Sequence, residues 1–250
     1  MANKTKIHIG TSGWHYNHWK GILYPEGIAD DRYLEEYIKH FKTAEINNSF
    51  YNLPDSKSLD NWRNKTPDDF IFSVKASRYI THMKKLKDPE KTFGNFIDRI
   101  KLLQEKLGPI LFQLPPRWNV NLDRLKEFIS KLPYDYRYTF EFRDPTWFGE
   151  ETENILAEAG IAFCIYDFEG RQSPQAIASD FVYIRLHGPD EAYRGKYNEK
   201  ALSQWANMMS SWADETREIF CYFDNDEAGY AAQNALELRE LLGEKEGKNA

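Results

Sequence analysis

Two cysteines in 250 residues are too few for a disulfide framework. Cys164 and Cys221 each fall inside an apolar β-type run, where a thiol packs as a small hydrophobe. No apolar stretch approaches the ~20 residues that span a bilayer, which excludes a helical membrane protein. Met1-Ala-Asn-Lys-Thr-Lys6 runs straight into a strand pattern without the apolar region of a signal peptide, so cytoplasm is the expected compartment. Basic residues do not prevail: the formal net charge is -6, which argues against broad attraction to phosphate backbones and leaves only a local basic cleft for that purpose. The turn after the first strand, Gly10-Thr-Ser-Gly-Trp14, fits neither the dinucleotide nor the Walker phosphate loop. Linkers, low-complexity blocks and sequence-level repeats are also lacking. One domain over residues 1–250 is expected, with a polar tail at 243–250 that frays.

What is present is an ordinary globular mix, 41% hydrophobic and 29% charged, long enough to bury roughly three quarters of its unfolded surface. Its organising feature is the short apolar run with one polar face. In Val182-Tyr-Ile-Arg-Leu-His187, strand alternation puts Val182, Ile184 and Leu186 on one side and Tyr183, Arg185 and His187 on the other. Thr139-Phe-Glu-Phe-Arg143 splits the same way. Strand patterns recur at residues 7–10, 44–47, 70–75, 110–114, 138–143, 161–167, 181–187 and 219–225. Amphipathic helical patterns lie between them at 31–41, 92–107, 122–132, 151–159, 199–212 and 228–242, with weaker ones at 56–65 and 172–178. Alternation of this kind implies crossover connections and a parallel sheet. Eight units in this length predict an α/β fold, a (β/α)8 TIM-type barrel of parallel strands inside an outer ring of helices. The rival, an open doubly wound sheet, usually carries the glycine-rich loop that is missing here.

With the strand ends placed, the chain resembles the domain of unknown function 72 family, also called YecE-like, from residue 7 to about 240. The resemblance is carried by Ile9-Gly-Thr-Ser-Gly-Trp14, Glu45-Ile-Asn-Asn-Ser-Phe-Tyr51, Val74-Lys75, Thr81-His82, Leu111-Phe-Gln-Leu-Pro-Pro116, Glu141-Phe-Arg143, Arg185-Leu-His-Gly188 and Phe223-Asp-Asn225. It implies a TIM-type barrel and supplies no settled activity. The sequence departs from the family pattern at Asp224, where that pattern is more like Asn, and the departure bears on the charge at the last strand.

All these segments fall at the carboxyl ends of strands or in the loops that follow, the side on which TIM barrels place their active sites. Parity points Glu45, Asn47, Lys75, Gln113, Glu141, Arg143, Arg185 and His187 into the mouth, and either Asp224 or Asn225 from the last strand. Glu45 and Glu141, from different strands, form a candidate acid-base pair of the glycosidase kind. His187 has a reference pKa of about 6.5, suited to proton transfer. Lys75, His82, Arg143 and Arg185 bias the mouth positive and match phosphate or carboxylate oxygens. Trp14, Tyr16, Trp19, Phe50, Tyr51, Trp118 and Trp147 supply aromatic faces in the upper loops, and the loop from Gly188 to Tyr197 occupies the usual barrel phosphate position. Asp224, Asp226 and Glu227 oppose an anion there and suit capping of the last helix.

The expected function is an enzyme using general acid-base chemistry, a hydrolase by preference, on a small anionic and phosphate-bearing substrate. Glu45, Glu141 and His187 are its candidate catalytic residues; Trp14, Asn47, Lys75, His82, Gln113, Arg143, Arg185, Tyr197 and Asn225 are its candidate binding residues. Two other readings stand beside it: a phosphodiester site for DNA or RNA, and a non-catalytic ligand sensor. A structural alternative is an ion network that plugs the barrel mouth. No cofactor is expected. A divalent metal on Glu45, Glu141, His82, His187 and Asp224 is conceivable, although the lysine and arginines among them repel a bare cation. His15 and His18 read as surface or packing residues, and the sequence does not fix an oligomeric state.

Overall fold

The computed structural model describes residues 5–243; the tail expected to fray, from 244 onward, lies outside them. Eight parallel strands form a nearly closed barrel: β1 (Lys6–Thr11), β2 (Thr43–Ile46), β3 (Ile71–Lys75), β4 (Leu107–Gln113), β5 (Tyr138–Glu141), β6 (Ala162–Phe168), β8 (Phe181–Leu186) and β9 (Glu218–Phe223). Neighbours run β1-β9-β8-β6-β5-β4-β3-β2. The seam between β1 and β2 is closed by a single bridge, Ser12 to Glu45, and by the Gly13 amide donating to the Glu45 carbonyl at 2.8 Å. Gly10 makes that seam possible, since a Cβ there would stand 2.3 Å from the Thr43 carbonyl oxygen.

Period-two patterning sorts the strands into two faces. Val182, Ile184 and Leu186 of β8, with Phe140 and Phe142 on and just after β5, belong to the large apolar layer under the helices. The inward face rises through three tiers. At the amino end His8 stacks on Phe220, with ring centroids 4.6 Å apart. In the middle the Tyr222 hydroxyl bonds Thr43 Oγ1 and Ser73 Oγ at 2.6 and 2.8 Å. At the carboxyl end the inward residues are charged, and this tier is the site. Cys164 faces inward and Cys221 outward; both are buried free thiols.

Helices Ser56–Lys65 and Glu199–Trp212 match their sequence patterns. Two other segments correct the expectation. The run at 92–107 is an α-helix only over Pro89–Ile100, followed by a 3-10 segment, Lys101–Lys106, with Gln104 at φ 53°. Gly108 and Pro109 cannot prolong a helix, and Leu107 already pairs with Phe72 to begin β4. The weak helix at 172–178 is absent. There Glu169 and Gly170 take positive φ, and β7 (Arg171–Gln172) folds back antiparallel on Asp167 and Phe168. Among the described residues no helix is long and apolar enough to cross a membrane.

Candidate functional site

Arg185, on β8 and without exposed surface, is the hub of the upper tier. Its Nε and Nη2 donate to the two oxygens of Glu45 at 2.9 and 2.7 Å, and Nη1 donates to Glu141 at 2.9 Å. Nη2 also reaches Asp224 at 3.1 Å. Glu45 is completed by the Tyr183 hydroxyl at 2.7 Å and Ser12 Oγ at 2.5 Å. Burial alone would raise the Glu141 pKa, but Arg143 and Arg185 outweigh burial and hold its carboxyl well below the usual range. Glu141 is therefore a fixed anion rather than a proton donor, and Glu45 is spent on Arg185, Tyr183 and Ser12.

A second shell of groups faces the mouth. His187 Nδ1 lies 3.0 Å from Asp224, and Nε2 lies 2.8 Å from Arg143 Nη2 and 3.2 Å from Arg185 Nη1. Guanidinium groups carry donors only, so Nε2 accepts and Nδ1–H donates to Asp224: the ring is the neutral Nδ1–H tautomer. Burial raises the Asp224 pKa, yet the His187 hydrogen bond and Arg185 bring it below its ordinary value. The acid at this position thus joins His187 and Arg185. Arg143 donates to Glu141 and packs over the rings of Tyr166 and Phe168, 4.6 and 4.1 Å from their centroids. Its Nη1 is buried with no hydrogen-bond partner. Lys75 Nζ sits 4.4 Å over the Phe50 ring. Burial first, then Arg185, pushes Lys75 down to about 8. Three carboxylates thus face three cations, and the cluster is neutral overall.

The remaining candidates surround this cluster unevenly. Gln113 points its Oε1 into the barrel without a partner. His82, on a π-helical turn (Tyr79–Met83), packs edge-on to Phe50 at 4.9 Å; burial, then Lys75, pushes it down to about 4. Trp14 and Asn47 line a separate hollow of about 250 Å³ with Tyr16 and Trp62, beside the mouth. Tyr197 does not reach the mouth: its hydroxyl accepts from the Gly188 amide, and its backbone is held by Asn234. Asn225 is likewise tied to the Gly195 carbonyl and to Asn234. These two residues pin both ends of the 188–197 loop, and Asn225 Oδ1 is left buried without a hydrogen-bond partner. The aromatic that does lie over the site is Tyr193, whose ring is 5.5 Å from His187 and 5.6 Å from Phe168.

Asp226 accepts from Trp19 Nε1 and lies 2.8 Å from His18 Nε2, so it anchors the first loop. The last helix, Tyr230–Leu241, is capped by Gly229 at φ 75° and not by an acidic side chain, which corrects the capping expectation. A Cβ on Gly229 would meet Ile22 at 2.7 Å. Among the described residues no group of three or more His, Cys, Asp or Glu side chains is placed to hold a metal. The acids considered for that role are bridged by guanidinium groups.

A family model described as "Protein of unknown function DUF72" matches residues 8–250. The chain belongs to the DUF72 family. Among DUF72 relatives, the UPF0759 protein YecE of Escherichia coli (strain K12) is 32% identical over 236 residues, covering 84% of this chain and 83% of its own. The UPF0759 protein YunF of Bacillus subtilis (strain 168) is 28% identical over 273 residues and covers 94% of both chains. The crystal structure of a DUF72 family protein from Thermotoga maritima superposes with a TM-score of 0.87 at 30% identity, over 95% of this chain and 99% of that one.

Proposed function

We propose that the barrel mouth is the active site of an enzyme that binds a small anionic, phosphate-bearing substrate and acts on it by proton transfer. One observation carries the reading: Arg143 Nη1 is a buried cationic donor without a partner, and beside it at the mouth Lys75 Nζ rests on the Phe50 ring. A buried unpaired donor costs about 1–3 kcal/mol, more when charged, and an anion is the ligand that removes that cost. Stability is a poor reason to keep so many buried charges, because apolar replacements of such clusters are often neutral or stabilising.

Glu45, Glu141 and Arg185 serve as the rigid base of the site. Proton transfer falls to His187, oriented by Asp224. In the resting arrangement Arg143 occupies the Nε2 lone pair. An anion engaging Arg143 draws the guanidinium toward the mouth and leaves Nε2 only the longer 3.2 Å contact with Arg185 Nη1, which loosens its lone pair for use as a base and couples substrate binding to activation. Hydrolysis is the preferred reaction class. The test is a thermal-shift series with inorganic phosphate, small phosphate esters and carboxylates. Wild type should be stabilised by phosphates and Arg143→Ala should not; identical responses of the two proteins to every ligand would defeat the proposal.

A further inference from the structure

Only two lysines among the described residues are buried, and they differ in what holds them. Lys106 gives its Nζ to the carbonyls of Arg63 and Thr66, each at 2.7 Å, and to Thr66 Oγ1 at 3.2 Å. Lys75 Nζ has no hydrogen-bond or ion-pair partner among the described residues; it rests on the face of Phe50, and 7% of the residue is exposed. The rest of the residue is held firmly. Its carbonyl accepts from Ser49 Oγ at 2.6 Å, and the following amide, Ala76 N, bonds Leu111 O at 2.8 Å.

The charged groups around it explain why the amine is left alone. Glu45 from β2, Glu141 from β5 and Asp224 after β9 are already engaged by Arg185, Arg143 and His187. Arg185 from β8 repels the ammonium, and His82 faces it from the turn after β3. An amine that is unpaired, carried on a mostly buried side chain, immobilised at its backbone and set at the carboxyl end of a barrel strand suits covalent chemistry better than permanent ion pairing.

We propose that Lys75 is a nucleophile that forms an imine with a carbonyl compound bearing an anionic group. This inference rests on the reading of the mouth as an anion site and changes the part played by Lys75: Arg143 holds the anionic end while the amine meets the carbonyl carbon. The Nζ lone pair forms the C–N bond as the carbonyl π pair moves to oxygen. The resulting carbinolamine then loses its oxygen as water. Overall an ammonium and a carbonyl give a protonated imine and water, with no oxidant or reductant. With a pKa of about 8, about one in ten Lys75 side chains is neutral at pH 7, about 300 times the share of an ordinary lysine.

The test is trapping with sodium cyanoborohydride at pH 7 in the presence of glycolaldehyde phosphate, dihydroxyacetone phosphate or pyruvate, followed by peptide mass spectrometry. Lys75 should carry the reduced adduct at least tenfold more than any exposed lysine. Lys75→Arg keeps the charge and should lose this adduct, with the adducts on exposed lysines unchanged. Lys75→Met, which removes no hydrogen bond, controls for folding. Adducts confined to exposed lysines, with phosphate binding intact, would overturn the imine and leave the anion site standing. Arg143→Ala should lose phosphate stabilisation and, with it, most of the Lys75 adduct from the two phosphate-bearing carbonyls; an unchanged adduct would show that Arg143 does not hold the anionic end.

Discussion

Arg185→Met removes the one cation that meets three carboxylates, on Glu45, Glu141 and Asp224, within 3.1 Å. Breaking a single buried pair costs about 3–5 kcal/mol, because the remaining charge is stranded away from water. With two of the partners wholly unexposed, the loss should sit at or above the top of that range. That is a large share of the about 5–15 kcal/mol that holds a typical domain together. The triple variant Glu45→Gln, Glu141→Gln, Arg185→Met removes the hub with its two chief partners and strands neither acid, although Arg143 loses its carboxylate partner Glu141 and keeps only an amide oxygen there. Swaps of whole buried ion clusters for neutral groups are often neutral, or stabilising by about 1–4 kcal/mol. Lys75, already prone to lose its proton, absorbs the residual positive charge. Urea unfolding followed by tryptophan fluorescence should therefore place the single variant several kcal/mol below wild type and the triple variant well above the single one. A triple variant as unstable as the single one would mean that the ions hold the barrel closed, and the functional reading of the cluster would lose its energetic basis.

At the opposite end of the barrel, His8 is pushed down to about 4, first by burial and, among charges, by Arg137 against the opposing pull of Glu218. A base with a depressed folded pKa is protonated more readily when unfolded, so stability should fall as pH drops from about 6.5 to about 4, by about 3 kcal/mol in all. His8→Phe keeps the stacking on Phe220 and should flatten that window relative to wild type in unfolding titrations; parallel curves would contradict it. Tyr193 holds φ at 63° over His187. Tyr193→Gly should relieve about 1 kcal/mol of backbone strain and expose His187 to diethyl pyrocarbonate; unchanged modification of His187 would show that Tyr193 does not cover it.

The barrel was legible because strand parity is a local property. Val182 to His187 displays both faces within six residues, and its polar face, Tyr183, Arg185 and His187, is the one that turns inward, whereas Asn47, which parity also pointed into the mouth, lines the hollow beside it. What parity cannot supply is who meets whom. Arg185 binds Glu45 and Glu141 across 140 and 44 positions of sequence, and nothing local distinguishes that saturated guanidinium from Arg143, which keeps a free Nη1. Ser12 and Tyr183 were within reach of the same parity argument, since both stand on inward positions. Tyr166 was too, two residues after the inward Cys164 on β6, whereas Phe168 lies one residue beyond the strand pattern and Tyr193 in the loop after β8, where parity does not apply. Tyr197 and Tyr193 sit in one loop, and only the bonds to Gly188, Asn225 and Asn234 decide which of them turns inward.

The most direct measurement is a crystal structure of the wild-type protein grown or soaked with inorganic phosphate and compared with Arg143→Ala under the same conditions. The anion should lie in the mouth within hydrogen-bond distance of Arg143 Nη1 and Lys75 Nζ, with Arg143 drawn off His187 Nε2, and should be missing from the variant. Phosphate bound only outside the mouth, with the Arg143 to His187 contact unbroken, would contradict the assignment of this cluster as an anion-binding active site.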